Sequence, residues 1–157
     1  MNDIVQANGY VDLTLRNLDD GTTKQERIKN TVLMGGKTVL AKALSQIYEE
    51  YDFFIDKMVF GSGGKSGSSI KTIDPSATTS LFHQEFEIAA VNGWDIDYPN
   101  MARFTGTIGS ATPGYTLDLN EMGLMTSSGQ LFSMVTFSGF TKSSSIEFTL
   151  NWTIVFA

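Results

Sequence analysis

Two glycine–lysine segments are the first candidates for chemistry, because a glycine-rich turn with a lysine can hold phosphate groups. Gly36-Lys37-Thr38 follows a short apolar stretch and precedes a segment of helical periodicity, as a phosphate-binding loop does. Gly64-Lys65-Ser66 is the second such segment. The phosphate-loop pattern also requires an earlier glycine, and those positions hold Thr31 and Val59. We therefore favour a glycine-rich turn before a helix, and we rank a nucleotide-dependent enzyme last.

Paired acidic residues and a lone histidine are the next candidates. Asp95 and Asp97, like Glu85 and Glu87, are spaced by two residues, which places each pair on one face of a strand. Such pairs could bind calcium or flank a glycosidic bond, but a solvent-facing strand has the same spacing. His83 is the only histidine and has no serine motif beside it, and cysteine is absent. We expect no catalytic residue, no metal and no cofactor.

Two aromatic residues beside the aspartates form the candidate binding site. Trp94, Asp95, Asp97 and Tyr98 could contact a carbohydrate or a receptor, because exposed aromatic rings mark binding surfaces. Core filling or contact between subunits is the alternative interpretation, and the one that we favour. Clustering of these residues in an exposed, concave site would support the binding hypothesis, whereas burial of both aromatics would remove it.

Composition limits the partners. The 157-residue chain has a net charge of −6, and an acidic domain is repelled by phosphate backbones. We therefore expect no nucleic-acid binding. The apolar runs are too short to cross a bilayer and no signal peptide is visible, so we also expect no membrane insertion.

The clearest element is a strand over residues 146–156, in which apolar and polar residues alternate. Its apolar side chains should complete the core of a sheet. The predicted core anchors are Phe148, Leu150, Trp152 and Ile154.

The rest of the chain reads as short strands with turns between them and one helix. Apolar residues recur at three- and four-residue steps over residues 37–51, which predicts an amphipathic helix. Residues 61–80 read as a long surface loop, and Asn92-Gly93 as a turn. We predict a mainly β, antiparallel sandwich or jelly-roll-like fold with one helix, in a single domain over residues 1–157.

Several segments follow one another in a recognisable order. They include Asn30-Thr31-Val32-Leu33, Met58-Val59-Phe60-Gly61-Ser62-Gly63, Leu119-Asn120-Glu121-Met122-Gly123-Leu124, Leu131-Phe132-Ser133-Met134-Val135-Thr136-Phe137 and Leu150-Asn151-Trp152-Thr153-Ile154. The ordered series spans residues 30–156 and resembles a family of small bacteriophage virion structural proteins, commonly labelled tail-fibre-like.

That resemblance implies a non-enzymatic virion protein, made in the bacterial host cytoplasm and built into the phage particle. We expect a homo-oligomer, a trimer or a ring, that joins other virion proteins at the tail, baseplate or fibre. The alternatives are a head or neck decoration protein, or a carbohydrate- or receptor-binding module of a phage fibre. Contacts are expected at residues 1–10, at residues 61–80, and at the turns around Gly109 and Gly129.

Overall fold

The computed structural model describes residues 6–45 and 54–157, which form two antiparallel five-stranded sheets with one helix and a small hairpin. The elements in chain order are β1 (Ala7–Asn17), β2 (Thr23–Lys29), β3 (Thr31–Val32), α1 (Met34–Ser45), β4 (Ile55–Gly61), β5 (Lys65–Ser66), β6 (Ser69–Ile70), β7 (Gln84–Ala89), β8 (Val91–Trp94), β9 (Met101–Ile108), β10 (Leu117–Thr126), β11 (Leu131–Lys142) and β12 (Ile146–Phe156). The predicted mainly β sandwich with one helix is confirmed.

Each sheet draws its strands from both halves of the chain. Sheet A has the order β2-β1-β12-β9-β8, and sheet B has the order β3-β11-β10-β4-β7. Strands β5 and β6 form a separate hairpin. Strands β7 and β8 are consecutive in the chain but lie at the edges of different sheets, because the chain crosses from sheet B to sheet A after Ala89.

Strand β12 supplies the centre of the main core, as its alternation predicts. It lies between β1 and β9, and the four predicted core anchors are all buried. Trp152 is opposite Val11 on β1 and Phe104 on β9, and both of these side chains are buried. The interior between the two sheets is therefore closed by the side chains that the sequence assigns to it.

A second apolar cluster lies on the outer face of sheet B. Its buried members are Leu33, Val59, Leu81, Met125, Leu131 and Met134, with Ile73 packed against them. Ile73 and Leu81 belong to the stretch between β6 and β7, so this stretch lies over the sheet. The segment at residues 61–80, expected as a long surface loop, thus contains a hairpin and part of an apolar cover.

Two local boundaries differ from the sequence predictions. Helix α1 begins at Met34 rather than at residue 37, because its first N–H group donates to the carbonyl of Pro75, 2.8 Å away. Leu44, one of the apolar residues of the predicted amphipathic helix, is 87% exposed, and residues 46–51 of the expected helix lie outside the described residues. The predicted Asn92-Gly93 turn is wrong, because both residues pair with β9 inside β8.

The expected contact segments have different outcomes. Residues 1–5 lie outside the described part of the chain, whereas turns are present at Gly109 and Gly129, as predicted. Helix α1, the one helix in the described residues, is too short and too polar to span a membrane.

Candidate functional site

The glycine–lysine segments are packed against strands. A Cβ atom on Gly36 would lie 2.4 Å from the carbonyl oxygen of Phe132, and one on Gly64 would lie 2.3 Å from that of Asn120. Glycine is required at both positions because another backbone approaches closely. This geometry supports a packing role for both segments and leaves the phosphate-binding interpretation without support.

Glu121 accepts three hydrogen bonds from backbone groups. It lies on β10 and is fully buried, and its Oε1 atom accepts hydrogen bonds from the backbone N–H groups of Gly63 (2.9 Å) and His83 (2.7 Å). Its Oε2 atom accepts a third from the N–H of Phe82, at 2.8 Å. A carboxylate that accepts three backbone hydrogen bonds compensates for its own burial. Glu121 therefore fastens both ends of the segment at residues 62–83, which we call the strap.

Two further side chains hold the strap from neighbouring positions. Asn120 accepts a hydrogen bond from the N–H of Gly64, at 2.7 Å. Glu85 accepts one from the hydroxyl of Ser62 at 2.7 Å and another from that of Tyr115 at 3.0 Å. The Ser62 hydrogen bond is the main reason why the pKa of Glu85 lies below its usual value.

The histidine does not form a catalytic relay. His83 is exposed, and its Nε2 atom lies 3.4 Å from Oε1 of Glu85. The hydroxyl of Ser62 donates to that same carboxylate and not to the imidazole, whereas a nucleophilic serine needs the histidine as its base. No three His, Asp or Glu side chains among residues 6–45 and 54–157 are grouped so that they could hold a metal ion.

The four predicted contact residues lie at the turn between β8 and β9. Trp94 is 66% exposed and Tyr98 is 49% exposed, so neither fills the core. Asp95 shapes the turn, because its side chain accepts a hydrogen bond from the N–H of Asp97 (3.0 Å) and its carbonyl accepts one from the N–H of Tyr98 (3.1 Å). The indole N–H of Trp94 donates to the carbonyl of Pro99, at 3.1 Å. We call residues 94–98 the aromatic turn.

An arginine on β9 supports the aromatic turn from the outer face of sheet A. The guanidinium of Arg103 lies 5.1 Å from the centre of the Tyr98 ring and 3.8 Å from Oδ2 of Asp95. Both contacts are partly exposed and contribute modestly to stability. Their effect is to restrain the Tyr98 ring against β9.

An apolar groove opens on the inner side of the aromatic turn. It has a volume of about 430 Å³ and is lined mostly by apolar side chains. Its aromatic side chains are those of Phe54, Trp94, Phe104, Phe132 and Phe156. Sequence reasoning identified Trp94 but missed the groove, because its walls come from α1, both sheets and residues more than one hundred positions apart.

The aromatic turn and the groove together form a surface that can bind a partner through apolar contacts and ring stacking. The polar groups around the strap, in contrast, are bonded to its backbone. No family model, curated protein or solved structure matches the chain.

Proposed function

We propose that the chain is a non-enzymatic structural protein of a bacteriophage particle, acting as a homo-oligomer in contact with other virion proteins. The ordered series of segments at residues 30–156 that resembles small virion proteins supports the phage assignment. The structure supports a scaffold role through a sandwich whose buried carboxylate, Glu121, bonds backbone groups. A trimer or a ring is the proposed form in the particle.

The observation that carries this proposal is the exposed apolar surface around β8. Val91, Trp94 and Ile96 are each more than half exposed, and they lie in β8 and in the turn that follows it, at one edge of sheet A. Large apolar side chains left exposed in one region of a fold mark a contact with another molecule. A protein whose role is assembly needs such a surface, and needs the rest of its fold to be rigid.

The test is to locate the chain in the particle. Phage particles from the host that carries the gene would be purified, and the chain would be quantified by mass spectrometry against the major capsid protein. We expect it at a fixed number of copies per particle, with immunogold label on the tail, baseplate or fibre. Label on the head or neck would support the alternative of a decoration protein, and absence from purified particles would overturn the proposal.

The exposure of the aromatic turn favours a second candidate function, a carbohydrate- or receptor-binding module of a fibre. Trp94 and Tyr98 are exposed in the same turn as Asp95 and Asp97, and saccharides bind through ring stacking and hydrogen bonds to carboxylates. The test is binding to host surface polysaccharide. Trp94→Ala should abolish binding. Ile70→Ser should not, because it removes an exposed apolar side chain that lies outside the aromatic turn. Equal binding by both variants would eliminate this function.

A further inference from the structure

The two edges of sheet A differ in charge. Strand β2 carries Lys24, Glu26, Arg27 and Lys29, and charged residues on an edge strand discourage pairing with another chain. Strand β8 carries no charge, and all four of its residues are exposed. It is bonded to β9 on one side, and no other described strand lies on its other side. β8 is therefore the edge of sheet A that is suited to accept a further strand.

The groove begins directly beside this edge. Asn92 and Trp94 are opposite Phe104 and Ala102, and all four residues line the groove. Alternation along a strand therefore places the side chains of Asn92 and Trp94 on the inner face of sheet A. A strand that pairs with β8 does not need charged side chains. A large apolar side chain on the inner face of that added strand would enter the groove.

We propose that the added strand is β8 of a second copy of this chain, paired antiparallel about a two-fold axis. β8 itself has both required features: it is uncharged, and it carries Trp94 on its inner face at 66% exposure. A two-fold axis perpendicular to the sheet keeps inner-face residues on the inner face in both copies, so each Trp94 faces the groove of the other.

Other features of the chain agree with this pairing. Self-pairing of β8 opposes no like charges along the strand, and two-fold contacts are the commonest in homo-oligomers. Among the other edges, β7 carries Glu85 and Glu87, and β3 has two residues. The inference rests on the proposed function and deepens it, because it names a copy of the chain as one partner and β8 as the contact. A two-fold contact joins two copies, so it forms a dimer in solution and would pair two trimers or two rings in the particle.

The first test is sedimentation equilibrium of the full chain, from low to high micromolar concentration. We expect a dimer whose dissociation constant rises at least about tenfold in Val91→Lys, which charges the edge, and in Trp94→Ala. The matched control is Gln25→Lys, which places the same charge on the outer face of β2 and should change the constant by less than about twofold. Thermal unfolding of each variant checks that the fold is retained.

The second test uses the absence of cysteine from the chain. A single cysteine on β8 can form a disulfide only with another copy. Asn92→Cys and Gly93→Cys each place the thiol opposite its own copy in one of the two central registers of an antiparallel β8 pair. A Cβ on Gly93 has room, because the nearest atom outside its chain neighbours is 3.8 Å away. We expect rapid cross-linking in one of these variants and none in Gln25→Cys.

The outcomes separate clearly. A wild-type chain that is monomeric throughout would overturn the inference, as would a dimer that survives both β8 substitutions or cross-linking that is equal at β8 and β2. These measurements concern the chain in solution. Absence of the chain from phage particles would overturn the proposed function and leave the pairing of β8 intact.

Discussion

The strap and the aromatic turn both read from sequence as regions that contact partners, but the fold uses them in opposite ways. The strap is bonded to β10 through the buried side chains of Glu121 and Asn120, and its Ile73 and Leu81 cover the outer face of sheet B. The aromatic turn is shaped by bonds among its own residues and their neighbours, and Trp94 remains exposed. The first segment completes the fold, whereas the second is available to another molecule.

The strap shows what role glycine has in a glycine-rich segment of this chain. In the strap, glycine allows backbone to approach backbone, since a Cβ atom on Gly63 or Gly64 would overlap with a neighbouring strand or segment. A segment rich in glycine and serine can therefore be rigid. Residue composition describes a loop less well than the buried polar groups that hold it.

The largest expected effect comes from removing the carboxylate that fastens the strap. Glu121→Ala leaves three partly buried N–H groups without their acceptor, and each costs up to about 1–3 kcal/mol. We expect a loss of about 3 kcal/mol or more in the free energy of unfolding, measured with urea, and faster proteolysis within residues 62–83. Glu121→Gln keeps one acceptor oxygen and should lose less. An alanine variant as stable as the wild type would contradict the role of Glu121.

A smaller effect is expected from a methyl group on the strap. Gly64→Ala places a Cβ 2.3 Å from the carbonyl oxygen of Asn120. The two backbone segments must then move apart, which costs about 1–3 kcal/mol. Gly109→Ala is the matched control, because no neighbouring atom lies within 4 Å of the added Cβ. The comparison requires thermal unfolding of both variants. Equal losses of thermal stability would show that the close approach at Gly64 does not make its substitution costly.

The strap should also make stability depend on pH through Glu85. The hydroxyl of Ser62, then that of Tyr115 and the charge of His83, hold the pKa of Glu85 below its usual 4.5, against the opposing effect of burial. A depressed pKa means that the unfolded chain binds the proton more readily. The stabilisation is therefore complete above pH 4.5 and is lost as the pH falls through the folded-state value.

Ser62→Ala tests this dependence directly. The stability difference between the wild type and Ser62→Ala should be largest at neutral pH and should shrink as the solution is acidified, as measured by urea unfolding at several pH values. A difference that stays constant on acidification would show that the Ser62–Glu85 hydrogen bond does not depend on the charge of Glu85.

The smallest effect on stability is expected in the aromatic turn. Trp94→Ala removes a largely exposed side chain and should change the free energy of unfolding by no more than about 0.5 kcal/mol at low protein concentration. Trp152→Ala, in the core, should cost about 3–5 kcal/mol. Chemical unfolding of the two variants gives the comparison. A large loss from Trp94→Ala would show that the turn is part of the folded core.

Local pattern was sufficient for the sandwich and for its central strand. The alternation in β12 identifies its core residues because a half-buried strand must alternate. Asn92-Gly93 failed as a turn because pairing with β9 outweighs the turn preference of these two residues. The start of α1 was misplaced because its bond to Pro75 joins positions about forty residues apart, which no local pattern reports.

The candidate site shows the same limit. Trp94 and Tyr98 were found because aromatic residues beside turns can be recognised in a sequence. The groove beside them and the role of Glu121 were not found, because each depends on residues that only the folded chain brings together. Whether an aromatic side chain contacts a partner or packs in the core depends on its exposure. Exposure is a property of the tertiary structure.

The place of β12 in the middle of sheet A determines the order in which the molecule can form. Strands β1 and β2 can pair early as a hairpin, but β1 and β9 meet only through a strand that is translated more than one hundred residues after β1. Sheet A is therefore completed only when residues 146–156 are available. Such distant pairings fold slowly, so the nascent chain should depend on chaperones more than its size suggests.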